Sequence, residues 1–321
     1  MSNLKKITNV SLAIAFIYIL SGCAYFETGK IQNVGFLIDT SIDDSAWSEK
    51  GYIGLLEIEE EFDVQVYYEE NVDTKAEING AVAEFVQDGV NLIFGHSNMY
   101  GSYFMEIAEL YPDVHFVYFN GGNYAENVTS LNFSSHAMGF FAGMAAGEMT
   151  ATNSVGIIAA HLWQPEIEGF FEGVKYQNPQ AVIEFNYIND WHNTDIAVSM
   201  YEDMRQKEVD VFYPIGDMFS ESIIEMAEED GLYAIGYISD QLELAPDTVL
   251  TSTIQHVDKL YEESAKQFDE ANLEGAVMSF DFKDGYISLG QFNDEVPESF
   301  QNELEAHVEN YMETGLLPHE K

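Results

Sequence analysis

The chain contains 321 residues, a length that predicts about two domains. It carries 56 Asp and Glu against 12 Lys and Arg, a formal net charge of −44 at pH 7, which disfavours anionic partners such as nucleic acids and acidic membrane surfaces. Because 46% of the residues are hydrophobic and 14% are aromatic, the charge does not imply disorder, and we expect a folded, strongly acidic protein.

The amino terminus has the features of an export signal. Two lysines precede the apolar residues 10–20, a run too short to span a membrane, so residues 1–22 are predicted to be a signal peptide. The run ends at Cys23, the only cysteine, in a Leu-Ser-Gly-Cys motif that resembles the bacterial lipobox. We therefore expect a lipid anchor on Cys23, a tether over residues 23–30, and attachment to the extracytoplasmic face of the cell membrane through this anchor alone. The alternative is a surplus cysteine behind an ordinary signal peptide.

Short apolar runs alternate with amphipathic stretches along the rest of the chain. In the first half, strands are predicted at 34–38, 64–68, 91–94 and 115–119, and helices at 46–60, 74–87 and 103–110. The pattern restarts with strands at 155–159, 182–187, 209–213 and 233–237, and helices at 166–176, 195–206 and 220–229. Two late strands are predicted at 249–254 and 276–282. This alternation predicts an α/β protein with two doubly wound lobes of parallel strands and a ligand cleft at the carboxyl ends of those strands.

Motifs of the common enzyme classes do not occur in the sequence. The glycine-rich dinucleotide and phosphate motifs and the zinc-protease motif are missing, and the eight histidines show no metal-ligand spacing. Residues 95–99 follow a predicted strand and resemble a nucleophile elbow around Ser97, but the final glycine is lacking. Ser97 is therefore either a catalytic serine or, as we favour, a loop hydroxyl at a strand end that contacts a ligand. We expect a protein that is not an enzyme and that uses no metal or cofactor.

Two tryptophans follow predicted strands, one in each lobe. Trp47 comes a short loop after the first strand, and Trp191 follows the strand 182–187. Large aromatic side chains in such loops are poorly placed to be core, because loops lie at the surface. Two rings facing each other across the cleft would stack on a flat ligand, each stack contributing roughly 1–3 kcal/mol for a nucleobase. The alternative is that each indole packs only against its own loop.

Four segments carry a resemblance to a known family. They are residues 42–48 (IDDSAWS), 137–143 (AMGFFAG), 234–241 (AIGYISDQ) and 249–253 (VLTST). Along nearly its whole mature length the chain resembles the basic-membrane-protein (BMP) lipoproteins, the purine-nucleoside-receptor type of ABC-transporter solute-binding protein. The resemblance implies a type I periplasmic-binding-protein fold, with two Rossmann-like lobes and a ligand cleft between them. The lobes are expected at residues 31–133 plus about 251–285 and at 134–250 plus about 286–321.

The resemblance also implies a ligand site. In the nucleoside-binding members of the family the base is stacked between two aromatic residues, and the resemblance places Trp47 and Trp191 at these positions. The remaining implied contacts are with the ribose at Asp39 and Asn120, with the base at Ser48, and with the backbone at Gly216.

Several positions depart from the nucleoside-binding pattern. Asn120 replaces an Asp and Ser48 replaces an Asn. Ile238 stands where an Asp is usual, with Asp240 retained two residues on, and Gln255 replaces a Lys. Losing a carboxylate and an ammonium together keeps the predicted site nearly neutral, but it removes charge-assisted hydrogen bonds worth about 1.5–3 kcal/mol each. A ligand other than a purine nucleoside, or none, is therefore the alternative.

Two functions follow from these observations. The first is a surface-anchored receptor that binds a neutral, nucleoside-like small molecule for uptake by an ABC permease or for sensing. The second rests on segments 90–96, 163–166 and 230–237, which resemble the Med-type lipoproteins, positive regulators of competence. Such a protein would act indirectly, through another envelope component, with altered or lost ligand binding. Direct binding to nucleic acid is not expected of an exported protein with this acidic charge.

Overall fold

The structure, a computed structural model, describes residues 29–320 as two lobes built on two six-stranded sheets. The predicted signal peptide and Cys23 lie outside the described residues. Within residues 29–320, none of the helices combines the length and the apolar character that a membrane crossing requires. The two lobes confirm the predicted α/β class and the doubly wound architecture.

The first lobe contains six strands and four helices. Its strands are β1 (Asn33–Leu37), β2 (Gln65–Glu69), β3 (Leu92–Gly95), β4 (His115–Phe119), β5 (Val128–Phe133) and β11 (Val277–Phe280). Its helices are α1 (Ala46–Phe62), α2 (Lys75–Gln87), α3 (Tyr100–Ile107) and α8 (Val257–Asp269). The strand order is β11-β5-β4-β3-β1-β2, and all neighbouring strands run parallel.

The second lobe repeats this arrangement. Its strands are β6 (Ser154–Ala159), β7 (Val182–Tyr187), β8 (Val211–Ile215), β9 (Tyr233–Ile238), β10 (Val249–Gln255) and β12 (Ile287–Leu289). Its helices are α4 (His136–Met149), α5 (Pro165–Gln177), α6 (Thr194–Arg205), α7 (Ser220–Asp230) and α9 (Glu298–Thr314). The strand order is β12-β10-β9-β8-β6-β7, with only β12 antiparallel to its neighbour. Short 3-10 helices lie at Ile42–Asp44, Ala108–Leu110, Phe282–Asp284 and Pro318–Glu320.

The described chain passes between the lobes after β5, between β10 and α8, and between β11 and β12. Strand β10 belongs entirely to the second sheet, where it pairs with β9 as far as Ile254. The second crossing therefore follows Gln255, a few residues later than the boundary expected near residue 251. The physical reason is that the ladder between β9 and β10 continues to the end of the strand.

Helix α4 connects the cores of the two lobes. Its residues from Ala137 to Gly147 are all buried, and they belong to an apolar cluster that also contains strand residues of both sheets, such as Phe36 and Ile157. A helix that is apolar all round lies inside a protein rather than on its surface. The two lobes therefore share one apolar core, with helix α4 inside it.

Close backbone contact joins α4 to α5. It is made by glycines four residues apart on each helix, namely Gly139 and Gly143 on α4 and Gly169 and Gly173 on α5. A Cβ atom at Gly139 would lie 2.1 Å from the carbonyl oxygen of Glu166, in the first turn of α5. Only glycine allows two helix backbones to approach so closely. The start of α5, and with it Glu166, is therefore fixed in position by α4.

Candidate functional site

A cavity of about 420 Å³ lies between the lobes. It is bordered by the carboxyl ends of strands at the points where the strand order reverses, between β1 and β3 and between β6 and β8, which is where doubly wound sheets bind ligands. Eight of the ten predicted ligand contacts line this cavity: Asp39, Trp47, Ser48, Ser97, Asn120, Trp191, Ile238 and Gln255.

The other two predicted contacts, Gly216 and Asp240, are not among the lining residues. Gly216 lies beneath the ring of Phe219, and its neighbour Asp217 lines the cavity instead. The carboxylate of Asp240 is exposed and accepts a hydrogen bond from the backbone N–H of Gln291, 3.0 Å away. In the structure, Gly216 provides room for a ring and Asp240 fastens the loop that follows β12.

Trp47 is held by His96. The two rings stack, with centroids 4.9 Å apart and planes 20° apart, and the indole Nε1 donates to the backbone oxygen of His96 at 3.2 Å. In return, His96 Nε2 lies 2.7 Å from the backbone oxygen of Trp47. Because a carbonyl oxygen can only accept, the imidazole proton is on Nε2, and Nδ1 accepts from the Tyr261 hydroxyl at 2.7 Å. The position of the indole is thus fixed before a ligand arrives.

His96 is a neutral support in this arrangement. Burial lowers its pKa from 6.5 to about 3, so the ring carries no charge at neutral pH. The rings of Phe119 and Phe133 meet Trp47 edge-on, with centroids 5.6 Å and 6.1 Å away. The first lobe therefore presents a rigid aromatic wall to the cavity.

The second lobe contributes a cluster of three aromatic side chains to the cavity region. Trp191 packs edge-on against His161 and Trp163, at centroid distances of 4.8 Å and 5.9 Å. His161 and Trp163 are stacked on each other, and Trp163 is 53% exposed. Trp163 was missing from the predicted site, although it follows β6 as Trp191 follows β7. All three tryptophans of the chain thus line the cavity.

A direct hydrogen bond joins the two lobes across this cavity. The carboxylate of Asp217, which follows β8, accepts from the backbone N–H of Trp47 at 3.1 Å, in the first turn of α1. Ser45, the N-terminal cap of α1, also hydrogen-bonds to Asp217. Burial raises the pKa of Asp217 to about 6, against the opposing effect of these hydrogen bonds. The free N–H groups of a helix amino terminus favour an anion, so Asp217 stabilises contact between the lobes.

Glu166 is the most buried carboxyl group of the cavity, with a relative exposure of 3%. Its Oε1 accepts from the Tyr237 hydroxyl at 3.2 Å, whereas its Oε2 is buried without a hydrogen-bond partner among the described residues. Burial raises its pKa from 4.5 to about 7, although the bond from Tyr237 opposes this rise. An unpaired buried oxygen is costly, and the cost is greater for the charged carboxylate than for the neutral acid.

The geometry around Ser97 does not support a nucleophile. Its side chain hydrogen-bonds to the carboxylate of Asp39, whose pKa is raised by burial. Both ring nitrogens of the adjacent His96 are engaged with Trp47 and Tyr261. His96 is therefore not positioned to take a proton from Ser97, as a serine nucleophile requires.

The remaining predicted residues border the polar parts of the cavity. The Ser48 hydroxyl lies 3.0 Å from that of Ser45, and Gln255 Nε2 donates to Ser135 at 3.4 Å. Asn120 and Ile238 have positive φ angles of 54° and 70°. Such a conformation is unusual for a β-branched residue, and strain of this kind concentrates at functional sites.

The lining is more acidic than the nearly neutral site expected from the sequence. Asp39, Glu166 and Asp217 contribute three carboxyl groups, and none of the lining residues is Lys or Arg. Of the two missed carboxyl groups, Asp217 closely follows β8 and Glu166 lies in the first turn of α5, and nothing in the sequence separates them from the other acidic residues. Among residues 29–320, no three side chains of His, Cys, Asp or Glu converge as metal ligands.

Comparison with known families gives a match over most of the chain. Residues 31–320 match the Bmp family, described as "ABC transporter substrate-binding protein PnrA-like". The chain is also 24% identical to a purine-binding protein of Brucella abortus, a similarity that covers 91% of this chain and 85% of the relative.

Two further relatives are more similar. A protein of Bacillus subtilis named transcriptional activator protein med is 43% identical over 313 residues, which cover 97% of this chain and 99% of the relative. The crystal structure of a transcriptional activator of the comK gene from Bacillus halodurans superposes with a TM-score of 0.84 at 42% identity, covering 89% of this chain and 99% of that one.

Proposed function

The chain belongs to the Bmp family of PnrA-like ABC transporter substrate-binding proteins, and from this premise we propose that it closes its lobes around a flat, nucleoside-like small molecule. The observation that carries the proposal is that Trp47 and Trp191, one on each lobe, line the same cavity. His96 covers one face of Trp47, so the ligand ring stacks on the other. A cavity of about 420 Å³ lies within the range of roughly 300–1,000 Å³ that small-molecule sites occupy.

The polar groups of the cavity suit a nucleoside-like ligand. Asp39 follows β1 and Asn120 follows β4, on either side of β3 in the first sheet, and both residues line the cavity, where their oxygens accept from sugar hydroxyl groups. Ser48 and Gln255 supply donors and acceptors to the edge of a base. A nucleotide is disfavoured, because its phosphate would meet three carboxyl groups without a Lys or Arg to balance them.

The proposed role includes a partner and a location. Membership of a substrate-binding family implies delivery of the ligand to an ABC permease. We place the protein at the extracytoplasmic face of the membrane, held by a lipid on Cys23. A closed receptor whose two lobes are joined by Asp217 and Trp47 gives such a permease one rigid surface to recognise.

The intrinsic fluorescence of the protein tests this proposal. Because all three tryptophans line the cavity, a stacked nucleoside is expected to quench the emission in a saturable way. Replacing Trp47 with Ala removes one stack of roughly 1–3 kcal/mol, so the affinity measured by calorimetry falls by about 5- to 150-fold. The matched variant Trp47→Phe keeps a ring and is expected to retain most of the affinity. Neither quenching nor heat across a panel of purine and pyrimidine nucleosides would contradict the proposal.

A second candidate function is indirect regulation, favoured by the 43% identity to a protein named as a transcriptional activator. With a net charge of −44, direct recognition of DNA lacks the Lys and Arg contacts to phosphate on which affinity depends. We expect the chain without residues 1–22 to give no shift of comK promoter DNA in a low-salt gel assay. A sequence-specific shift under these conditions would overturn indirect action and favour DNA binding.

A further inference from the structure

The hydrogen bond between Asp217 and Trp47 completes the amino end of α1 from the other lobe. The N–H of Trp47 belongs to the first turn of α1, where the helix itself supplies no acceptor. Ser45, the N-terminal cap, accepts from the N–H of Ser48 at 3.2 Å, and the N–H of Trp47 is left to the Asp217 carboxylate at 3.1 Å. Both partners belong to the chain, so this contact between the lobes does not depend on a ligand atom.

The three polar groups of Trp47 are all engaged in hydrogen bonds. Its indole N–H and its carbonyl oxygen bond to His96 of the same lobe, and its backbone N–H bonds to Asp217 of the other lobe. The first lobe therefore orients the ring, and the second lobe holds the backbone that carries it. The position of the stacking ring and the closure of the lobes are coupled through this one residue.

The acceptor side of this contact is held rigidly. Asp217 lies in a tight turn after β8, in which the backbone N–H groups of Phe219 and Ser220 donate to the carbonyl oxygen of Gly216 at 3.3 Å and 2.9 Å. A side chain that is already ordered loses little conformational entropy when it forms a contact. The hydrogen bond to Trp47 thus opposes hinge rotation at the segments where the chain crosses between the lobes.

We propose that Asp217 is a positioning residue that holds the lobes closed before a ligand binds, so that a ligand enters only when its bond to Trp47 opens. The statement about ligand entry rests on the receptor function proposed above, whereas the closed state of the ligand-free protein does not. A hydrogen bond to a charged group shifts the ratio of closed to open protein by roughly 10- to 150-fold.

Small-angle X-ray scattering of the ligand-free protein tests the closed state. The radius of gyration of the wild type is expected to stay unchanged when adenosine is added. Asp217→Ala removes the acceptor, so its ligand-free form should have a larger radius of gyration and contract when adenosine binds. Asp217→Asn keeps an acceptor oxygen for Trp47 and should scatter more like the wild type than like the alanine variant. The matched control Glu221→Gln replaces an exposed carboxyl group in the first turn of α7 and should scatter like the wild type.

The kinetics of adenosine binding distinguish a closing contact from a merely structural one. Loss of the bond increases the open fraction through which the ligand enters, so stopped-flow fluorescence should show faster association with Asp217→Ala than with the wild type. The affinity should fall at the same time, by up to the factor by which the closed fraction falls. General damage to the site would weaken binding without speeding association.

The outcomes separate this inference from the receptor function. If adenosine binds but the wild type contracts on binding, or if Asp217→Ala scatters like the wild type or Asp217→Asn opens as far as Asp217→Ala, the inference is overturned and the receptor function stands. If no nucleoside binds the wild type, the receptor function is contradicted, and the scattering of the ligand-free variants still decides whether Asp217 closes the lobes. Should Asp217→Ala fail to fold, the wild type decides: an unchanged radius of gyration on adding adenosine supports the inference, and a contraction overturns it.

Discussion

Replacing Gly173 with Ala is expected to lower the free energy of unfolding by about 3 kcal/mol, the upper end of the usual cost of overpacking a core. A Cβ atom at this position would lie 1.9 Å from the carbonyl oxygen of Phe140 and 2.7 Å from its carbonyl carbon. These are backbone atoms of a buried helix, so no side chain can rotate away to make room. Helices α4 and α5 must separate instead, which breaks the packing along their whole contact.

The matched control for this variant is Gly80→Ala. Gly80 lies in the exposed part of α2, and a Cβ atom there would meet no atom within 4 Å. Because Ala is favoured over Gly inside a helix, this variant should be about 0.5–1 kcal/mol more stable than the wild type. Urea unfolding followed by circular dichroism measures both. Equal stabilities of the Gly173 and Gly80 variants would show that the close contact between α4 and α5 is not as described.

The ligand-free protein is expected to lose stability as the pH rises through 7, because of Glu166. Burial raises the pKa of Glu166 from 4.5 in the unfolded chain to about 7, so the folded state binds this proton more tightly than the unfolded state. The resulting stabilisation is complete below about pH 4.5 and is lost as the pH rises through about 7. A pKa rise from 4.5 to about 7 corresponds to about 3 kcal/mol of unfolding free energy.

The measurement is a difference between variants, because many other carboxyl groups titrate in this acidic chain. Glu166→Gln cannot titrate, so wild-type stability minus variant stability should fall by about 3 kcal/mol between about pH 4.5 and pH 8. The contribution of Asp217, whose pKa is raised to about 6, is present in both proteins and cancels. The matched control is Glu168→Gln, which replaces an exposed carboxyl group on the same helix and should not reproduce this effect. A difference that is independent of pH would contradict the account of Glu166 as a buried carboxyl group without a second partner.

The alternation of short apolar runs and amphipathic stretches is sufficient to predict most of the fold. The helices that it does not predict are missed for physical reasons. Strands such as β4 and β7 were predicted at their observed bounds, since a short apolar run between polar loops has few other interpretations. Helix α4 was not predicted, because it is apolar on all sides and shows no 3.6-residue periodicity. The alternation does not predict helices α8 and α9, although both have buried residues at helical spacing.

The candidate site was predictable only in part. The rule that ligands bind at the carboxyl ends of strands identified Asp39, Trp47 and Trp191, which line one cavity. Glu166 and Asp217 could not be singled out among 56 acidic residues, because the sequence does not reveal which carboxyl groups are buried. The role of His96 depends on contacts with Trp47 and Tyr261 that only the folded chain brings together.

Binding of a flat ligand in the cavity between the lobes is tested by a crystal structure of the protein with adenosine. We expect the base to lie between the indole rings of Trp47 and Trp191, in the cavity that both residues line. A nucleoside bound elsewhere on the protein, or a cavity that stays empty under conditions where calorimetry detects binding, would contradict it.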